Sequence, residues 1–190
     1  FLPSLESLNE SIFSDDWRKY GKGNISSWEM ETMCFYFHNH ELINLDTEKY
    51  GVGSFKDMSE VPEVDYYFHR GNTDIPIFKL SRIAGTVIGK DDVRAMVTLL
   101  TPTGVVSVKF SKEYYAFYKR QISKVTENAT KTIIEKSWFE RGNMLLITGF
   151  RRDDTFVAKT YKSTPFHQLY KITKIYSNGE IDVEHERAEG

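Results

Sequence analysis

The chain has 190 residues, a formal net charge of -2, and 40% hydrophobic and 14% aromatic residues, which is enough apolar material for a folded core. Its single cysteine, Cys34, excludes a disulfide framework within one chain. No run approaches the roughly 18 apolar residues of a membrane span, and no secretory signal precedes the first elements. We therefore expect a globular, cytoplasmic protein. The start at Phe1 rather than Met suggests an excised piece of a longer polypeptide, although processing gives the same result.

Charge divides the chain into three regions. Residues 1–77 carry 6 Lys and Arg against 14 Asp and Glu, residues 78–176 carry 18 against 8, and residues 177–190 carry 1 against 5. A basic middle between acidic flanks is typical of a domain that binds a polyanion. Lysines that merely solvate a β-domain give the same counts, so the charge leaves both interpretations open. We predict a helical and irregular connecting segment, a β-domain and a C-terminal hairpin or tail over these three regions.

The acidic first region predicts one helix and a long connector. Ser26 and Glu29 have the spacing of a capping box, and apolar residues fill the segment that follows, so we place a helix near residues 26–38. Residues 49–78, KYGVGSFKDMSEVPEVDYYFHRGNTDIPIF, contain glycines and prolines and no sustained period. This composition indicates a connector that is packed by its aromatic residues.

The pattern changes to that of β-strands in the middle region. Residues 80–88, 93–101 and 104–110 are rich in branched side chains and bounded by turn residues, which predicts three antiparallel strands. A helix candidate, SKEYYAFYKRQISK, begins at Ser111, and the strands NMLLITGF and TFVAKTYK follow a polar connector. Three strands, a helix and two strands are the order of an OB-fold. We therefore predict an α+β chain whose mainly β core is a five-stranded Greek-key barrel.

Glycines mark the bends of the predicted β-structure. Gly85 and Gly149 lie inside predicted strands, where a small barrel needs bends or bulges. The last segment, KITKIYSNGEIDVEHE, predicts a hairpin that turns at Asn178-Gly179.

An OB barrel predicts where a ligand binds. Such barrels bind oligonucleotides or oligosaccharides on the face of strands 2 and 3 and through the loops 1–2 and 4–5, which here span residues 89–92 and 150–154. Cations there would follow a phosphate backbone and aromatic rings would stack bases. The acidic pairs at 91–92 and 153–154 repel phosphate, so we expect them to shape turns. The predicted nucleic-acid-binding residues are Lys90, Arg94, Lys109, Arg151, Arg152, Lys159, Phe150 and Tyr161, with Phe156 as a further stacking candidate.

Two groups of residues suggest chemistry but are better explained by structure. Cys34, His38 and His40 lie close together in sequence, yet no CxxC or HExxH pattern accompanies them, so a packed thiol and helix-end histidines are the better interpretation. The second group is Asp65, His69 and Asp74. These residues fall in the predicted connector, and a surface loop is a better explanation for them than acid–base catalysis. No phosphate-binding glycine loop or nucleophile elbow is present. We expect neither catalysis, nor a metal, nor a cofactor in this chain.

Four stretches within residues 26–176 form a recognisable pattern: WEMETMCFYFHNHELI, GVGSFKDM, RIAGTVIGKDDVRAMVTLLTPTGVVSVKFSKEYYAFYK and RGNMLLITGFRRDDTFVAKTY. Together they resemble the C-terminal part of the bacterial DNA polymerase III alpha subunit, the C-family replicative polymerase. His40 stands at the histidine of that family's pre-barrel motif, whereas Asn39 and Glu41 replace its Gly and Pro.

The resemblance implies a role. In the family the polymerase active site lies upstream of this region, and the OB domain is thought to handle the single-stranded template. We therefore expect a non-catalytic single-stranded-DNA-binding domain of a DNA-directed DNA polymerase, a nucleotidyltransferase, with a sliding clamp and other replisome proteins as partners. A clamp-binding peptide precedes the barrel in the family, and NESIF at residues 9–13 is a candidate, although ordinary helix packing explains it better. Two alternatives stay open: a replisome protein–protein adapter, and an RNA-binding OB module that senses the 2′-hydroxyl.

Overall fold

A computed structural model describes residues 40–125 and 131–188, all within one compact unit, Asn39–Gly190. The predicted helix at 26–38, the clamp-peptide candidate, Cys34 and His38 lie outside the described residues. In chain order the elements are a 3₁₀ turn (Glu41–Asn44), α1 (Thr47–Tyr50), a second 3₁₀ turn (Phe55–Asp57), β1 (Val64–Arg70), β2 (Thr73–Phe78), β3 (Ser81–Asp91), β4 (Met96–Thr101), β5 (Gly104–Lys109), α2 (Lys112–Lys119), β6 (Ile122–Val125), β7 (Lys131–Glu135), β8 (Met144–Arg152), β9 (Thr155–Ala158), β10 (Leu169–Ile175) and β11 (Ile181–Glu184).

Strands β3, β4, β5, β9 and β8 close into a barrel. β3 pairs antiparallel with β4 and β8, β4 pairs antiparallel with β5, and β8 pairs antiparallel with β9. A parallel pairing of β5 with β9 completes the ring. Because this is the strand order of an OB-fold, the predicted mainly β fold around a five-stranded barrel is confirmed.

The barrel core forms because branched residues alternate along each strand. In β4, Val97 and Leu99 are fully buried while their neighbours are half-buried, and β5 buries Val106 and Val108 in the same way. Helix α2 packs on the core: its N-terminal cap is the predicted Ser111, whose hydroxyl accepts a hydrogen bond from Tyr114 N. The core continues through Tyr115 and Tyr118 of α2, which pack against two fully buried rings after β7, Trp138 and Phe139.

A second apolar cluster covers the outer side of β3, β8 and β10. Leu42 and Leu45, which precede α1, pack there against Ala84, Leu146 and Ile172. β10 pairs with β8 and with β11, and the β10–β11 hairpin turns at the predicted Asn178-Gly179. The segment before the barrel is therefore part of the same packed unit.

Two hairpins correct the sequence interpretation. The expected connector contains β1 and β2, which pair around Gly71 at a φ of 61°. The helix candidate SKEYYAFYKRQISK is wrong in its last residues, because α2 ends at Lys119 and the following strand, β6, pairs with β7 of the polar connector. In β1 six of the seven residues are exposed, and in β7 four of the five are exposed. Because neither of these strands buries one face, they lack the apolar–polar alternation by which strands are predicted. In the described part of the chain no helix is long and apolar enough to span a membrane.

Candidate nucleic-acid interface

The outer surface of β4 and β5, with the neighbouring β9, corresponds to the face of strands 2 and 3 on which OB-folds bind their ligands. Alternation directs one set of side chains into the core and the other set outward. The strand register then brings the outward residues into rows across the sheet. One row consists of small polar side chains and ends in an arginine: Thr98 lies opposite Ser107, Ser107 opposite Thr155, and Thr155 opposite Arg152. We call the outward residues of these strands, together with Lys159 just after β9, the outer face: Met96, Thr98, Leu100, Val105, Ser107, Lys109, Thr155, Val157 and Lys159.

Three cations lie on the outer face or at its edge. Lys109 lies opposite Met96 and Val157, Lys159 follows the end of β9, and Arg152 ends β8. All three side chains are exposed, and none is within 4.0 Å of a carboxylate of the described residues. Within the part of the chain that the structure describes, no ion pair neutralises these positive charges, which favours attraction of an anion.

The β3–β4 loop adds exposed cations next to acidic residues that have structural partners. Lys90 and Arg94 are exposed, and Arg94 Nε lies 3.8 Å from Asp91 Oδ2. Asp91 Oδ1 accepts hydrogen bonds from the backbone N of Val93 and of Arg94, each at 3.0 Å, so this acid shapes the turn as predicted. The next acid, Asp92, accepts hydrogen bonds from Lys119 Nζ at 2.8 Å and from a tyrosine hydroxyl of α2, which together lower its pKa.

The β8–β9 loop separates its two arginines. The Arg151 side chain is only 11% exposed and donates to the carbonyl oxygens of Phe55 and Met58 at 3.2 and 3.0 Å. It also pairs with Glu60 at 3.2 Å. These contacts hold the segment before β1 against the barrel and occupy the Arg151 guanidinium, so this side chain is not one of the exposed cations. Arg152 points outward instead, with its guanidinium 5.4 Å from the Phe150 ring centroid.

The predicted stacking rings are not free on the outer face. Phe150 is 7% exposed because Phe78 packs against it with ring centroids 4.8 Å apart, and Phe156 is fully buried in the core. Tyr161 is half-buried, and its hydroxyl accepts a hydrogen bond from Phe78 N at 2.9 Å. Phe150 and Phe156 therefore belong to the packed interior, and a base cannot lie on either ring in this structure.

His40, the histidine that the resemblance singled out, joins the pre-barrel segment to β4. Its Nδ1 accepts a hydrogen bond from Leu42 N at 3.1 Å, so the proton lies on Nε2, which donates to Leu100 O at 2.9 Å. Burial lowers the pKa of His40, in keeping with this neutral form. In this structure the imidazole orders two backbone segments.

The other residues that suggested chemistry are dispersed. His69 pairs with Asp74 on the exposed β1–β2 hairpin. Among the residues that the structure describes, no three His, Cys, Asp or Glu side chains are grouped closely enough to hold a metal ion.

A cleft lies beside the outer face and was not anticipated from the sequence. It has a volume of 540 Å³ and lies between the β1–β2 hairpin, the start of β3 and residues 161–166. The aromatic and cationic side chains of its lining include Tyr66, Phe78, Arg82, Tyr161 and Phe166. The exposed aromatic run of β1, YYF at residues 66–68, is the signal in the sequence that marks this place.

Comparison with known proteins points to DNA polymerases. The chain is 36% identical over 187 residues to the probable DNA polymerase YorL of Bacillus subtilis (strain 168), and equally to a DNA-directed DNA polymerase of Bacillus phage SPbeta. The aligned region is 97% of this chain and 14% of each relative, so the chain is homologous to a small segment of these polymerases. No protein-family model matches the chain. No solved structure matches it either.

Proposed function

We propose that this chain is a non-catalytic OB domain that binds single-stranded DNA and positions the template for a C-family replicative polymerase of the DNA polymerase III alpha type. The observation that carries the proposal is the outer face, where Lys109, Arg152 and Lys159 lack acidic partners among the described residues and surround a row of small polar side chains. Homology to a segment of DNA-directed DNA polymerases supports the same role. We propose that it acts in the cytoplasm, without a cofactor of its own.

The mechanism is electrostatic. Each cation that meets a phosphate releases condensed counterions, so affinity falls with salt, with a slope of about -0.7 per phosphate for a single strand. Three cations would give a slope of about -2, and Lys90 and Arg94 extend the positive surface at the β3–β4 loop. Because no aromatic ring is free at the centre of the face, binding there would depend on phosphates and be independent of base sequence.

The test is a titration of a fluorescently labelled 20-nucleotide dT strand with the full 190-residue chain, read by anisotropy at several salt concentrations. The variant Lys109→Ala/Arg152→Ala is expected to weaken binding and to make the salt slope shallower by about 1.4, because two phosphate contacts are lost. The matched control is Lys131→Ala/Lys174→Ala, which removes two exposed lysines from strands outside the barrel. This control is expected to leave the slope near that of the unaltered chain.

Two results would contradict the proposal. Equal slopes for the double variant and its control would place any DNA elsewhere on the chain. Absence of binding at low salt, with circular dichroism showing a folded chain, would remove autonomous DNA binding altogether.

The second result would favour a replisome adapter, which has an observation of its own. Ile133 and Ile134 of β7 are both about half exposed, one on each face of a two-stranded hairpin, so a protein partner on either face would bury an exposed isoleucine. A sliding clamp or another replisome protein would be such a partner. An RNA-binding role, in turn, predicts tighter binding of a 20-nucleotide rU strand than of dT, because RNA recognition uses the 2′-hydroxyl.

A further inference from the structure

We propose that the cleft between the β1–β2 hairpin and the barrel is a base-binding subsite for the same single-stranded DNA. The inference rests on the proposed function and adds to it a place where one base leaves the cationic face and stacks on an aromatic side chain. The cleft volume of 540 Å³ lies within the range of small-ligand pockets and is large enough for one nucleotide base.

The cleft begins where the cations of the outer face end. Phe78 lines the cleft and also lies beneath Arg152, whose guanidinium is 5.8 Å from the Phe78 ring centroid. Tyr161 lines it as well, and the Lys159 ammonium is 5.9 Å from the Tyr161 ring centroid. A strand that contacts Arg152 and Lys159 through its phosphates therefore reaches the mouth of the cleft without leaving the protein surface.

Two exposed rings can receive a base. Tyr66 comes from the hairpin and Phe166 from the segment after β9; each is 47% exposed, and both line the cleft. Aromatic rings of this kind stack bases with little preference for sequence, which suits a domain that handles any template. The cleft thus supplies the stacking rings that the outer face lacks.

Arg82 supplies hydrogen-bond donors that are not used within the described structure. Its Nη1 donates to Tyr50 O at 2.9 Å and its Nε is buried beyond the reach of a ligand, whereas its Nη2 makes no hydrogen bond within the described residues. The guanidinium carbon lies 3.5 Å from the Phe166 ring centroid, and this stacking fixes its plane. Lys49 and Lys79 of the cleft lining are paired with Glu180 and Glu63, whereas Glu48 and Asp65 also line the cleft, so the local charge disfavours a phosphate there. We assign to Arg82 a contact with a base carbonyl oxygen, which a guanidinium donates to readily.

Tyr66 and Tyr67 give a matched pair of variants. They are neighbours in β1, so their side chains point to opposite faces of the hairpin. Both are about half exposed, but only Tyr66 lines the cleft. A change of either to Ala removes the same amount of aromatic surface from the same strand.

The experiment uses the 190-residue chain and 20-nucleotide dT strands that each carry one 2-aminopurine, placed at successive positions. At saturating protein we expect one or two positions to be quenched by stacking, and Tyr66→Ala to restore their fluorescence while Tyr67→Ala does not. Tyr66→Ala and Phe166→Ala are each expected to weaken binding about tenfold, as stacked aromatics do for single strands. Their salt slopes should equal that of the unaltered chain, because no phosphate contact is lost.

The outcomes separate the subsite from the proposed function. If the chain binds dT with a slope that depends on Lys109 and Arg152, but Tyr66→Ala behaves like Tyr67→Ala at every 2-aminopurine position, the subsite is wrong and the function stands. If the unaltered chain is folded and does not bind dT, both are wrong. Loss of quenching in Tyr66→Ala and in Phe166→Ala, with retention in Tyr67→Ala, supports the subsite.

Discussion

Gly149 is, among the described glycines, the one whose surroundings leave the least room for an added Cβ. A Cβ at this position would lie 2.0 Å from Val157 O and 2.9 Å from Phe156 Cε1. The first of these atoms is backbone and the second belongs to a fully buried ring, so neither can move without opening the pairing of β8 with β9. This close approach is the physical reason that a glycine lies inside a strand here.

We therefore predict that Gly149→Ala lowers the free energy of unfolding by about 2–3 kcal/mol, as expected for overpacking of a closed core. Gly89→Ala is the matched control, because the atoms nearest to its added Cβ are at 3.9 and 4.0 Å. It is expected to change the free energy by less than about 1 kcal/mol. Urea unfolding followed by circular dichroism measures both. Equal losses for the two variants would show that the packing around Gly149 relaxes.

Arg151 and Arg152 lie on opposite sides of β8, and this difference follows from the sequence. Alternation along β8 places Arg151 on the inward side with Leu145 and Ile147, and places Arg152 on the outward side. The different roles of the two arginines could therefore have been predicted from their positions in the strand. The burial of Phe150 could not, because it depends on Phe78, which is remote in sequence.

The β1–β2 hairpin is an element that the sequence analysis missed for a physical reason. Barrel strands were predicted because one face is buried and apolar residues therefore alternate with polar ones, as in β4. In β1 three aromatic residues follow one another and all are exposed. The sequence does contain a turn signal, the pair Gly71-Asn72 between the two strands. A two-residue signal alone is weak evidence for a hairpin when the strand pattern is absent.

Because the side chains of this hairpin are largely exposed, we predict that the barrel folds without it. Replacement of residues 65–77 by Gly-Gly joins Val64 to Phe78, which are paired in the structure. The free energy of unfolding is expected to change by less than about 1 kcal/mol, as for surface changes away from the core. Urea unfolding measures this, and the salt slope for dT checks that the cationic face is intact. Loss of cooperative unfolding would show that the hairpin belongs to the core.

The packed unit begins earlier than residue 78, where the charge and the spacing of apolar residues change. Leu42 and Leu45 cover the outer side of β3, β8 and β10, and their burial is nearly complete. Composition could not reveal this, because two leucines in an acidic segment carry no sign of the sheet that they cover. The domain bounds predicted from the sequence, residues 78–176, rest on charge and strand pattern and stay a prediction.

We predict that a chain beginning at residue 39 unfolds cooperatively and that a chain beginning at residue 78 is less stable by several kcal/mol. Each buried leucine contributes about 1.5–3 kcal/mol relative to exposure, and the shorter chain also exposes the apolar surface of Leu146 and Ile172. Urea unfolding of the two truncated chains measures the difference. Equal stability would support a folding unit that starts at residue 78.

The pairing of β5 with β9 has a consequence for how the protein is made. β9 is the last barrel strand in chain order, so during synthesis the other four strands are complete while β5 and β8 still present unpaired backbone edges. Open edges recruit strands from neighbouring chains, and a charged side chain at an edge discourages such pairing. Lys109 ends β5 and Arg152 ends β8. Each nascent chain thus carries a positive charge at the two barrel edges that wait for β9, and this charge discourages pairing with other nascent copies.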